Sequence, residues 1–104
     1  MLLDFYGELL TKTQLEIISE HINDDLTISE IANNRNVSRQ SIHESIKRSQ
    51  TILEGYESKL GLVAKFNQAK REIEDVEHLV NKISIKDDAK KNILNKIHSI
   101  LEKF

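Results

Sequence analysis

Residues 27–53 read TISEIANNRNVSRQSIHESIKRSQTIL, and the division of this stretch decides the fold. Thr27 followed three residues later by Glu30 is a capping box, in which hydroxyl and carboxylate each satisfy a free backbone N–H at a helix start. Ile28, Ile31 and Ala32 then recur at helical spacing and are expected to face inward, with the small Ala32 letting the next helix cross closely. Asn34, Arg35 and Asn36 make a turn, and Asn36 sits where a left-handed residue is wanted, which asparagine tolerates better than most. Val37 is expected to plug the corner and Ser38 to cap a second helix. On that helix Ile42, Ile46, Ser49 and Leu53 fall within about 60° of one another at roughly 100° per residue, which is a buried stripe. Gln40, Glu44, Lys47 and Thr51 lie opposite, flanked by His43 and Arg48. Two capped helices joined by a short turn spell a helix-turn-helix.

Working outward, Leu2, Leu3, Tyr6, Leu9 and Leu10 give a short N-terminal helix one apolar side. Thr11 and Gln14 form another capping box, opening a helix to about Ile22 with Leu15, Ile18 and Ile22 inward, and Asn23, Asp24 and Asp25 form the turn after it. Past Leu53 the stripe continues through Tyr56 to Leu60, across a weak point at Gly55. After Gly61 the pattern changes. Phe66, Ala69, Ile73, Val76, Val80 and Ile83 alternate three and four apart, Ser84 with Asp87 marks a cap, and Ala89, Ile93, Leu94, Ile97, Ile100, Leu101 and Phe104 define a last helix. The expected architecture is all-α: a helix-turn-helix domain over residues 1–60 and a helical hairpin over 61–104, acting as a lid or a dimerisation element. The last helix has a wider apolar stripe than one seam needs, with Leu94 and Leu101 beside the main line, which tips the expectation towards a homodimer.

Composition supports this frame. There is no proline, glycine is confined to three positions, and Leu, Ile, Lys and Glu abound, which favours helices. With no cysteine there is no disulfide framework and no thiol nucleophile, as suits a cytoplasmic protein. No run of about 20 apolar residues spans a membrane, and the first residues do not read as a signal peptide. No phosphate-cradling glycine loop or nucleophile elbow appears, so the chain is not read as an enzyme and no cofactor is expected. His21, His43, His78 and His98 are scattered, and Glu74-Asp75 with His78 lacks a second cluster, so no metal site is expected.

The second helix of such a motif lies in a DNA groove with its first turns against base edges. Arg39, Gln40, His43 and Lys47 are the candidates for base contacts, since Arg and Gln can bond bidentately to guanine or adenine. Ser38, Ser41 and Arg48 are the candidates for phosphates, with Arg35 reaching the backbone from the turn. Charge opposes this reading. Residues 1–60 hold six Lys and Arg against ten Asp and Glu, net −4, whereas 61–104 hold nine against seven, net +2. Because phosphate neutralisation dominates non-specific affinity, a protein-binding adaptor built on the same fold is the alternative.

The motif resembles region 4 of bacterial sigma factors. The wider pattern is similar to the YlxM-type proteins, small helix-turn-helix proteins usually encoded beside the signal recognition particle GTPase. The likeness is carried by Leu2-Leu3-Asp4-Phe5-Tyr6-Gly7, Leu10-Thr11, Gln14, Glu30-Ile31-Ala32, Val37-Ser38-Arg39-Gln40, Ile46-Lys47-Arg48 and Tyr56-Glu57-Ser58-Lys59-Leu60-Gly61-Leu62. Ser41 and His43 depart from it, standing where such proteins more often have alanine and an aromatic residue. The resemblance implies a sigma-like helical fold and a regulator tied to the signal recognition particle pathway, with DNA, or else RNA, as the target and a component of that particle as a further partner.

Overall fold

A computed structural model describes residues 1–104. The chain is all helix: α1 (Leu2–Tyr6), a 3-10 turn (Gly7–Leu9), α2 (Lys12–Ile22), α3 (Ile28–Arg35), α4 (Arg39–Leu60), α5 (Leu62–Asn81) and α6 (Asp87–Leu101). These form two compact units, Met1–Gly61 and Leu62–Phe104.

In the first unit α4 is the spine, with α1, α2 and α3 packed against it and α2 against α3. Both capping boxes close as the sequence implies: Thr11 Oγ1 accepts from Gln14 N–H and Thr27 Oγ1 from Glu30 N–H, while Gln14 and Glu30 reach back to the Thr11 and Thr27 amides. Asn36 adopts φ 55°, ψ 43°, and the Val37 amide bonds the Ala32 carbonyl at 3.0 Å, a Schellman closure that ends α3. Ser38 Oγ accepts from the Ser41 amide at 3.1 Å and starts α4. The core gathers Ile17, Ile31, Ala32, Ile42 and Ile46, with Leu26 and Ile28 against them. The stripe Ile42, Ile46, Ser49 and Leu53 is buried as a unit, and Ser49 Oγ lies there without a hydrogen-bond partner. Tyr6, 1% exposed, donates from its hydroxyl to Glu57 Oε1 at 2.5 Å and stacks on Tyr56, which ties α1 to the far end of α4. A Cβ at Gly7 would meet the methyl ends of Leu3 and Leu15 at 3.1 Å, a tight fit in which those side chains must give slightly.

Several expectations are corrected. The N-terminal helix breaks into the 3-10 turn, which leaves Leu9 exposed and Leu10 buried. On α2, Ile17 and Ile18 are the buried pair while Ile22 is exposed. The helix packs against both α3 and α4, so it needs a wider apolar arc than the single stripe through Leu15. Val37 does not plug the corner: its amide does the closing and its side chain is half-exposed. As expected, α4 continues past Gly55 to Leu60, but Leu60 itself is half-exposed rather than part of the buried stripe, and Gly61 caps the helix at φ 65°.

In the second unit α5 and α6 pack together as a hairpin. Phe66 meets Phe104 edge-on at 5.6 Å, and Glu77 pairs with His98. Ser84 does not cap α6. Lys86 precedes it without a side-chain cap, and the amides of Lys82 and Ile83 close the turn on the carbonyls of Leu79 and Val80. The expected seam is only partly inward: Ile73 and Val80 are buried, Val76 and Ile83 are exposed, and α6 buries no residue fully.

Candidate nucleic-acid interface

The site is the outer face of α4, opposite its buried stripe, built by local sequence. Ser38 anchors the first turn, and Ser41 Oγ donates back to the Ser38 carbonyl at 2.8 Å. The remaining amides of that first turn, at the positive end of the helix dipole, favour an anion. Ser38, Arg39, Gln40, Ser41, His43, Lys47 and Arg48 are all solvent-exposed.

The seven do not form one cluster: Ser38 caps the helix and the other six fall into three strips. Arg39, with His43 one turn on, borders a cleft shared with Ser29, Glu30, Asn33 and Val37 at the turn. Gln40 and Lys47 occupy the middle with Glu44 and Thr51. Gln40 Nε2 donates to Glu44 Oε1 at 3.1 Å, and Thr51 Oγ1 to the Lys47 carbonyl at 3.0 Å. Ser41 and Arg48 lie on the α2 side, across a groove of about 300 Å³ from Thr11, Thr13 and Gln14. Sequence reading missed these last three as neighbours of the site. Their capping box was legible, but their placement beside α4 is set by the α2–α4 packing.

The cations differ in their partners. Arg39, Lys47 and Arg48 make no ion pair, so their charges are available to a ligand. Arg35, the candidate for a backbone contact from the turn, is instead engaged within the protein. Its guanidinium lies 2.9 Å from Glu20 Oε1 and 3.4 Å from Glu16 Oε2, holding α3 to α2. The Glu20 hydrogen bond raises the Arg35 pKa further above its ordinary value, against a smaller opposing effect of burial, with lesser help from the Glu20 and Glu16 charges. One guanidinium against two carboxylates leaves this trio at net −1. Along residues 38–51 the chain carries Arg39, Lys47 and Arg48 against Glu44 alone, a local net of +2 inside the net −4 of residues 1–60. The outer face can therefore offer three free cations, hydroxyls, an amide and an imidazole to an extended anionic partner.

A short helix closed by a left-handed asparagine, then a capped long helix crossing it on a buried Ile-Ala-Ile-Ile core, defines a helix-turn-helix protein. Residues 1–103 match the family model UPF0122, described as "Putative helix-turn-helix protein, YlxM / p13 like", and the chain belongs to that family, in agreement with the resemblance in its sequence. Among similar proteins, the UPF0122 protein of Acetivibrio thermocellus is 42% identical over 108 residues, spanning 98% of this chain and 92% of the relative. That of Malacoplasma penetrans is 50% identical over 70 residues, 67% of this chain and 65% of the relative. That of Listeria innocua is 38% identical over 100 residues, 96% and 91% respectively. No helix is long and apolar enough to cross a membrane.

Proposed function

We propose that the protein is a nucleic-acid-binding regulator that inserts α4 into a DNA groove. Arg39, Gln40, His43 and Lys47 face base edges and Ser38, Ser41 and Arg48 face phosphates. The observation that carries this reading is the set of three unpaired cations on the exposed side of α4, set against a helix-turn-helix in which the other turn cation, Arg35, is internally neutralised. Arg35 is left out of the interface for that reason. The regulatory role, within the signal recognition particle pathway, rests on the family resemblance. Self-association through residues 62–104 would pair two recognition helices, which suits a two-half-site target.

Salt dependence tests the reading, since each phosphate contact to duplex contributes roughly one log unit of affinity per log unit of salt. With three free cations the wild-type slope is expected near −3 on duplex DNA. A steeper and tighter response to structured RNA would move the target to RNA. One observation favours a second reading: Glu44 lies in the middle of the outer face, bonded to Gln40. An acidic centre repels phosphate and suits a basic protein surface, so absence of binding to either nucleic acid at low salt would favour an adaptor.

A further inference from the structure

We propose that two copies of the hairpin pair through one defined face, forming a four-helix bundle about a twofold axis parallel to the helices. This rests on the self-association stated above and is independent of the nucleic-acid reading.

The face is located by what the hairpin already covers. Ile73 and Val80 of α5 are buried, with Leu94, Ile97 and Leu101 of α6 half-buried. Glu77 and His98 pair along one side of that seam. At about 100° per residue, Val76 and Leu79 on α5 and Ile93 and Ile100 on α6 turn to the opposite side. They are 39%, 60%, 40% and 50% exposed. An amphipathic helix is held in place by covering its apolar stripe, yet α6 has no fully buried residue. Half of its stripe lacks cover within the unit.

Charge selects a second copy as the occupant. On α5 this face carries Glu72, in line with Leu79, and Asp75 at its border, and its edge on α6 carries Lys96 and Lys103. The contacts of Phe66 with Phe104 and of Glu77 with His98 fix the relative heights of the two helices. At about 1.5 Å per residue, they bring Lys96 level with Asp75 and Lys103 level with Glu72, to within a turn. A twofold axis parallel to the helices lays each α5 against the other copy's α6 at unchanged height. Asp75 then meets Lys96 of the partner subunit, Glu72 meets Lys103 of the partner subunit, and symmetry makes each pair twice. A perpendicular axis would instead set the acidic edge against itself.

Sedimentation equilibrium on the full chain at tens of micromolar, a concentration in the usual range for protein association, should give twice the 12.0 kDa chain mass. Asp75→Lys or Lys96→Asp alone should weaken the dimer roughly tenfold, since each reversal acts at two symmetry-related contacts, and the two together should restore it. Ile93→Lys with Ile100→Lys should give a monomer that stays helical by circular dichroism. A single-chain mass for the wild type would overturn self-association. A dimer indifferent to the isoleucine changes, or a double charge swap no tighter than the single ones, would overturn this face while leaving nucleic-acid binding, measured separately, standing. Should the isoleucine variant unfold, the charge swap decides, because those side chains lie on exposed edges.

Discussion

Arg35 and Arg39 are four residues apart and carry the same group, but the fold gives them opposite roles. Arg35 is gripped by Glu20 and Glu16 and ties α3 to α2, while Arg39 stands without an ionic partner at the start of α4. Arg35→Ala is therefore expected to lower stability by about 1 kcal/mol, the upper range for partly exposed pairs, and Tm by roughly 4–8 °C, with nucleic-acid affinity unchanged. The sign of the pH effect follows from the raised guanidinium pKa. Its contribution is complete below the ordinary arginine value and lost only above it, so the variant's deficit should be constant between about pH 6 and pH 9. Thermal melts at both ends of that window check this. Asn36 holds φ 55° between the two helices. Asn36→Ala should cost about 1 kcal/mol because a Cβ without a local hydrogen-bonding group resists that conformation, whereas Asn36→Gly should be neutral or stabilising in urea unfolding.

At the scale of elements, what was legible in the sequence was what local chemistry dictates. Thr11 with Gln14, Thr27 with Glu30, the left-handed Asn36, the Ser38 cap and the stripe from Ile42 to Leu53 all appear in the structure where residue spacing puts them. What was not legible depends on how many neighbours an element has. Ile17 is buried because α2 is flanked by both α3 and α4, which no periodicity within α2 announces. Val76 and Ile83 fit a seam by spacing yet stay exposed, since one partner helix covers only part of a broad apolar arc. The outer face of α4 was readable as a face, but the ion pairs of Arg35 and the nearness of Thr11, Thr13 and Gln14 needed tertiary contacts. Gly55 is a local reading of the same kind: α4 continues past it to Leu60, and a Cβ there would meet nothing within 4 Å. Gly55→Ala should accordingly stabilise the protein by about 1 kcal/mol, seen as a higher urea midpoint with an unchanged slope.

For the whole molecule, net charge is a poor guide to what the surface can bind. The chain is formally −2, and its helix-turn-helix half is more acidic still. Two of those acids are paired with Arg35, and one carboxylate, Glu44, shares the α4 outer face with three free cations. An anionic polymer responds to the field over that face, within about 8 Å at physiological salt, more than to the total. On the reading proposed above, Arg39 and Lys47 deliver that field to nucleic acid. Its most direct test is a salt titration of duplex binding by the wild type and by the double variant Arg39→Ala/Lys47→Ala, both first shown to be folded. Measurable wild-type binding at low salt is expected, with a log–log slope shallower by roughly two in the variant. An unchanged slope and affinity, or no wild-type binding to DNA or RNA at low salt, would contradict it.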